Sequence, residues 1–184
     1  MKYSLNTKIV NPIESPESAV ILCHGYGGDG KDISIVANYW KNFLPKTLFL
    51  CPDAPEICKV NSSGFQWFDL MDQTPEEILS KSLIAENKLN NFIAEVIQIN
   101  NINAKKIALV GFSQGCMISL QTALKRKDSV GCVIGYSGKI INQEHLDKNI
   151  VSNPEIYLMH GDIDQVVPID NFLASKEFFI NKKY

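Results

Sequence analysis

The sequence predicts an α/β fold in which helices cover both faces of a mostly parallel central sheet. Short apolar runs alternate with longer segments of helical period, which is the pattern of strands joined by crossover helices. The apolar runs are nearly continuous, as expected for strands that are covered on both faces. A length of 184 residues with 45% hydrophobic residues suits one compact domain, so we expect residues 1–184 to form a single unit.

Five apolar runs are predicted to be the buried strands of this sheet. They are 18–23 (SAVILC), 47–51 (TLFLC), 106–110 (KIALV), 130–135 (VGCVIG) and 155–160 (EIYLMH). The opening segment 2–10 alternates more strongly between apolar and polar residues, which fits an edge strand and leaves antiparallel pairing open.

The most clearly marked helix begins at Thr74. The sequence Thr74-Pro75-Glu76-Glu77 supplies a cap residue, proline at the first helical position and glutamate at the third, which is a capping box. Three further helices are predicted at about 31–43, 114–127 and 168–181.

Composition excludes several classes of function. A formal charge of −2 gives no basis for binding nucleic acid or an anionic membrane surface, and no apolar run is long enough to span a bilayer. The N-terminus lacks the pattern of a secretion signal, and the five cysteines form no C-x-x-C pair. We therefore expect a cytoplasmic protein that acts on a small molecule, without disulfides or a bound metal.

The strongest functional motif is Gly111-Phe112-Ser113-Gln114-Gly115, which fits G-x-S-x-G between a predicted strand and a predicted helix. Such a turn strains the backbone of the serine and needs glycine on both sides. Ser113 is therefore the predicted nucleophile, and the backbone N–H of Gln114 is predicted to face a developing oxyanion.

A glycine-rich loop, 24–30 (HGYGGDG), follows the strand at 18–23. It can supply the second oxyanion donor, which we assign to the backbone of Tyr26. The loop fits neither of the common phosphate-binding patterns, G-x-x-x-x-G-K-[ST] and G-x-G-x-x-G. Its glycines could also serve only to form a turn. His24 is interpreted as a brace for the loop.

The strand at 155–160 ends in a loop that carries two acids, Asp162 and Asp164. An acid placed after a strand and after the serine has the order of a hydrolase triad. We assign catalysis to Asp164 and turn capping to Asp162. The alternative is that both aspartates only cap the turn.

Together these motifs resemble the phospholipase/carboxylesterase family, which includes the acyl-protein thioesterases, within the α/β-hydrolase superfamily. Segments 51–55 (CPDAP) and 64–69 (GFQWFD) resemble two further family motifs. The resemblance implies hydrolysis of short or medium acyl esters or thioesters by Ser113 and Asp164, with Tyr26 and Gln114 as the oxyanion hole. It also puts Phe65, Trp67 and Phe68 near the acyl pocket, although such a cluster is as often plain packing.

The catalytic base departs from the family pattern. In the family a histidine follows the acid after a helix and one more strand, whereas the residues after Asp164 contain no histidine. The sequence therefore predicts a domain truncated after the acid-bearing loop and the following helix, so that the last strand and helix are missing. Impaired turnover is expected, because Ser113 without a base is an ordinary alcohol.

Several alternatives remain open. His160, or less plausibly His24, could substitute for the base, whereas His145 lies in a polar surface stretch. The chain could instead be a non-catalytic remnant or binding module, or a separate fragment could supply the histidine. An unprotected strand at 155–160 further predicts self-association through the exposed sheet edge.

Overall fold

The computed structural model describes residues 3–182, which contain a six-stranded sheet and a small separate hairpin. The strands of the large sheet are β1 (Thr7–Val10), β2 (Ser18–Cys23), β3 (Thr47–Pro52), β6 (Ile107–Phe112), β7 (Cys132–Tyr136) and β8 (Glu155–Met159). The hairpin consists of β4 (Glu56–Ile57) and β5 (Phe65–Gln66).

The strand order in the large sheet is β1-β3-β2-β6-β7-β8. All neighbouring pairs are parallel except β1 with β3, which is antiparallel and lies at one edge. The prediction of a mostly parallel α/β sheet is confirmed, and the opening segment is the antiparallel edge strand. The predicted strand at 130–135 begins later, since Gly131 still belongs to the connection and donates its N–H to Ile107 O at 2.9 Å.

Within residues 3–182, four α-helices connect strands and a fifth follows β8. They are α1 (Gly30–Trp40), α2 (Pro75–Asn100), α3 (Gln114–Leu124), α4 (Gln143–Asn149) and α5 (Ile169–Asn181). The capping box of α2 is present: Thr74 accepts from the N–H of Glu77, whose carboxylate accepts from the N–H of Thr74. No helix within residues 3–182 is both long enough and apolar enough to cross a membrane.

The two faces of the sheet are covered unequally. On one face, alternate strand residues such as Ile21, Leu109 and Val133 pack against α2, α3, α4 and α5 in the larger core. On the other face, Leu22 and Val110 belong to a smaller core. Among the described elements, α1 is the only helix that packs there. The far end of that second face, over β8, is therefore partly exposed.

The carboxyl ends of β2, β6 and β7 meet at the middle of the sheet, because these strands are parallel neighbours. Loops that leave these ends form the candidate site. The acid-bearing loop leaves β8, one strand further out.

Candidate active site

Ser113 occupies a sharp turn between β6 and α3. Its φ of 51° and ψ of −116° lie in a region that side chains rarely adopt. Its backbone N–H donates to Tyr136 O on the neighbouring strand at 2.8 Å. A strained serine fixed in this way between a strand and a helix has the backbone geometry of a nucleophile elbow.

The two glycines of the motif are required by packing. A Cβ on Gly111 would collide with the backbone of Gly115, and a Cβ on Gly115 would collide with the carbonyl of Cys23 on β2. The strand, the turn and the helix therefore approach one another more closely than any side chain would permit.

The glycine-rich loop lies beside the elbow. Gly27 has a φ of 78° and donates its N–H to Phe65 O at 2.9 Å, while Phe65 N–H donates to Gly28 O at 2.8 Å. Two backbone hydrogen bonds thus tie the loop to the hairpin strand β5. Tyr26 lies within this loop and lines the same cavity as Ser113.

The side chain of Gln114 connects the elbow to the aromatic segment. Its Oε1 accepts from the N–H of Trp67 at 2.8 Å, and its Nε2 donates to Phe68 O at 2.6 Å. The motif predicted a role only for the Gln114 backbone. The side-chain contacts were missed because they join residues that are far apart in the sequence.

His24 is buried beneath the glycine-rich loop. Its Nδ1 lies 2.7 Å from Gly25 O, and its Nε2 accepts from the N–H of Ala54 at 2.9 Å. The indole N–H of Trp67 donates to His24 O at 3.0 Å. Burial lowers the pKa of the His24 imidazole.

The loop after β8 is organised around Asp164. Asp164 Oδ1 accepts from the N–H groups of Val166 and Val167, both at 2.9 Å. These hydrogen bonds lower the pKa of the Asp164 carboxyl. Asp162 is exposed, so the turn bonds that the sequence assigned to Asp162 are made by Asp164.

His160 lies at the end of β8 with its side chain buried. Its Nε2 is 2.7 Å from Val167 O and 3.7 Å from Asp164 Oδ2. Its Nδ1 is buried and has no hydrogen-bond partner among the described residues. The third histidine, His145 on α4, has its Nε2 3.3 Å from Lys125 Nζ.

A cavity of about 370 Å³ joins these loops. Ser113, Tyr26 and Phe68 line it together with Val166, Val167 and Pro168 from the loop after β8. Its remaining wall is mostly apolar and is formed by Leu70, Pro75, Ile78, Met117, Lys139, Ile141 and Asn171.

Of the three aromatic residues expected near an acyl pocket, only Phe68 lines this cavity. Trp67 is fully buried behind it, where it contacts His24 and Gln114. Phe65 pairs with the glycine-rich loop through its backbone. The structure therefore assigns the three residues different contacts.

A buried carboxylate anchors the segment that follows Phe68. Asp69 Oδ2 accepts from Lys59 Nζ at 2.6 Å and from Lys81 Nζ at 3.1 Å, and its Oδ1 accepts from the N–H of Met71 at 3.0 Å. These contacts, led by the hydrogen bond from Lys59, lower the pKa of Asp69 to about 2. Residues 3–182 contain no cluster of His, Cys, Asp or Glu arranged to hold a metal ion.

Comparison with known proteins identifies the family of the chain. The model of the phospholipase/carboxylesterase family matches residues 5–183. Acyl-protein thioesterase 1 of Schizosaccharomyces pombe is 28% identical over 98% of this chain and 84% of its own length. Acyl-protein thioesterase 1 of Saccharomyces cerevisiae is 29% identical over 94% of this chain and 81% of its own length.

Among solved structures, the crystal structure of esterase PE8 superimposes with a TM-score of 0.92 at 32% identity, covering 97% of this chain and 85% of that one. The family match spans the strands, the elbow and the acid-bearing loop together. The chain therefore belongs to the phospholipase/carboxylesterase family of α/β-hydrolase enzymes.

Proposed function

We propose that the chain is a serine hydrolase of carboxylic esters or thioesters in which Ser113 is the nucleophile. The observation that carries this proposal is the strained backbone of Ser113 at the rim of an apolar cavity. Its hydroxyl attacks the acyl carbonyl, and the alcohol or thiol leaves as an acyl-enzyme forms. Water then releases the acid.

The oxyanion of the tetrahedral intermediate is held by the backbone N–H groups of Tyr26 and Gln114. Gln114 is the first residue of α3, so its N–H has no partner within the helix and lies where the helix dipole favours negative charge. Tyr26 lies on the neighbouring loop and faces the same cavity. Two such donors stabilise charge that develops only during the reaction.

The acyl chain occupies the apolar cavity. Its apolar lining includes Phe68, Leu70, Ile78, Met117 and Ile141. The relatives named acyl-protein thioesterase 1 support a thioester as substrate, whereas esterase PE8 supports an ester. Phe65 and Trp67 act indirectly in this proposal, by supporting Phe68 and the glycine-rich loop.

Asp164 is the proposed triad acid, and the 184-residue chain turns over slowly because, among the described contacts, no histidine is hydrogen-bonded to the Ser113 hydroxyl. His24 Nε2 accepts from Ala54, His160 Nε2 donates to Val167 O, and His145 lies on α4 beside Lys125. A serine hydrolase that lacks its base retains the catalysis of binding and the oxyanion hole, roughly 10³ to 10⁴ over water.

Hydrolysis of p-nitrophenyl acetate and of a short acyl thioester by the 184-residue chain tests this function. We expect a slow rate that Ser113→Ala lowers, because attack by the hydroxyl is lost, although the oxyanion hole and the binding cavity should keep it above the uncatalysed level. Ser129→Ala is the matched control, since the Ser129 hydroxyl bonds only the adjacent Val130 carbonyl among the described contacts, and its rate should equal that of the unaltered chain.

The second candidate is a non-catalytic binding module that keeps the hydrolase pocket. It is favoured because no histidine hydrogen-bonds the Ser113 hydroxyl among the described contacts, and a serine without a base is a poor nucleophile. Equal rates for the unaltered chain and Ser113→Ala would support it. A fluorophosphonate probe gives an independent answer, since a serine held beside two oxyanion donors should label slowly even without its base, whereas the serine of a binding module should not label.

Self-association through β8 is also proposed. β8 is the edge strand of the sheet, and two of its own residues, Tyr157 and Met159, expose 51% and 41% of their surface. An open apolar edge pairs readily with another chain. Sedimentation at tens of micromolar should therefore show a dimer or larger species that Tyr157→Lys disperses, and a single monomeric species would contradict the proposal.

The five cysteines support a cytoplasmic location. All are free thiols within the described residues, and unpaired cysteines are typical of a reducing compartment.

A further inference from the structure

His24 is a buried titratable residue near the elbow that takes no part in the proposed reaction. His24 follows β2 directly, and its residue surface is only 2% exposed. Both of its ring nitrogens have partners, and neither partner is Ser113 or Asp164. Its contacts therefore point to a role in holding the site.

The two partners fix the tautomer of the ring. The N–H of Ala54 can only donate, so Nε2 must carry the lone pair that accepts it. The carbonyl of Gly25 can only accept, so Nδ1 must carry the proton that is donated to it. His24 is therefore held as the neutral Nδ1–H imidazole.

The same contacts orient the peptide between Gly25 and Tyr26. Gly25 O accepts from His24 Nδ1 at 2.7 Å and from the N–H of Gly28 at 3.1 Å. In a planar trans peptide the N–H points opposite to the carbonyl. Because the carbonyl is held toward His24 and Gly28, the N–H of Tyr26 points away from them.

We propose that His24 is a positioning residue that orients the Tyr26 N–H as an oxyanion donor, by bridging the Gly25 carbonyl and the Ala54 N–H. This rests on the proposed function, since an oriented donor matters only if an oxyanion forms at Ser113. The bridge also ties the loop to residue 54, directly after β3.

The bridge depends on a neutral ring. A protonated His24 would present a second N–H to the N–H of Ala54, and the two donors would repel each other. Burial favours the neutral ring, while the carboxylates of Asp53, Asp29 and Asp32 act in the opposite sense. The indole of Trp67, with ring centroids 5.9 Å apart, is the aromatic neighbour of the imidazole.

The first test compares rates of Ser113 labelling by a fluorophosphonate. His24→Phe removes both ring contacts, and we expect about 100-fold slower labelling, the effect of losing one oxyanion donor. His24→Asn keeps a side-chain N–H near the position of Nδ1, so it should label at least tenfold faster than His24→Phe. His145→Phe makes the same chemical change on α4 and should label at the unaltered rate.

A His24→Phe protein that is folded by circular dichroism and labels at the unaltered rate would overturn the proposal. Equal losses of labelling rate in His24→Phe and His24→Asn would also contradict the proposal, because a purely steric effect would then explain both variants.

The second test needs neither a variant nor catalysis. Nitrogen-15 NMR of the unaltered protein should show His24 as the neutral Nδ1–H tautomer at pH 7, and protonation only below the usual imidazole range. The Nε2–H tautomer or an imidazolium at pH 7 would refute the bridge. If Ser113 does not label at all, the proposed function fails, while the tautomer still decides whether the bridge exists.

Discussion

The loop that carries Ser113 and the loop that carries Asp164 are held by very different means. Ser113 leaves a central strand, and its turn is closed by glycines that contact the neighbouring backbone directly. The loop after β8 leaves the outermost strand, and Ile163 and Val166 expose 86% and 85% of their surface there. The proposed nucleophile is therefore preorganised by the sheet, whereas the proposed acid depends on a few local hydrogen bonds.

The largest difference in stability between the two loops is expected when one glycine in each is replaced by alanine. Gly115→Ala places a Cβ against the carbonyl of Cys23, so we expect a loss of about 1–3 kcal/mol in the free energy of unfolding. Gly161→Ala in the acid loop meets no atom within 4 Å, and its effect should stay within about 0.5 kcal/mol. Urea unfolding measures both, and similar losses would contradict the comparison.

Removing the Asp164 carboxylate should have an intermediate effect. Asp164→Ala leaves two backbone N–H groups without their acceptor, comparable to losing a helix cap, at a cost of about 1 kcal/mol. Asp164→Asn keeps one acceptor oxygen and should lose less. Thermal unfolding of the two variants measures the difference, and an Asn variant as unstable as the Ala variant would show that these bonds do not hold the loop.

Acid stability near the aromatic segment should depend on Asp69. The pKa of Asp69 is lowered from 3.8 to about 2, so its ionised form is favoured in the folded chain. The stability it contributes is complete above pH 3.8 and is lost as the pH falls through 2. Asp69→Asn cannot titrate, so its unfolding free energy should fall less steeply over this interval. An unchanged slope would mean that the contacts from Lys59 and Lys81 do not stabilise the fold.

Much of the fold could be predicted because its signals are local. The buried strands, the capping box at Thr74 and the elbow at Ser113 each occupy a short continuous segment of sequence. Helix α4 was not predicted, since its 7 residues are too few to display a helical period. The motifs also led to the family, because their order and spacing are read directly from the chain.

The site's supporting contacts could not be predicted in the same way. Gln114 meets Trp67 across 47 positions, and His24 meets Ala54 across 30. Such pairs depend on how strands and loops are placed relative to one another in three dimensions. Phe68 and Trp67 are adjacent in the sequence, yet Phe68 lines the cavity and Trp67 lies behind it. Which of the two side chains reaches the cavity depends on how this loop turns.

The most direct test of the proposed catalytic centre is a crystal structure of the chain after reaction with a fluorophosphonate. We expect a phosphonyl adduct on Ser113 Oγ, with the phosphonyl oxygen within hydrogen-bonding distance of the backbone nitrogens of both Tyr26 and Gln114. An adduct on another residue, or a phosphonyl oxygen directed away from these two amides, would contradict the proposed centre.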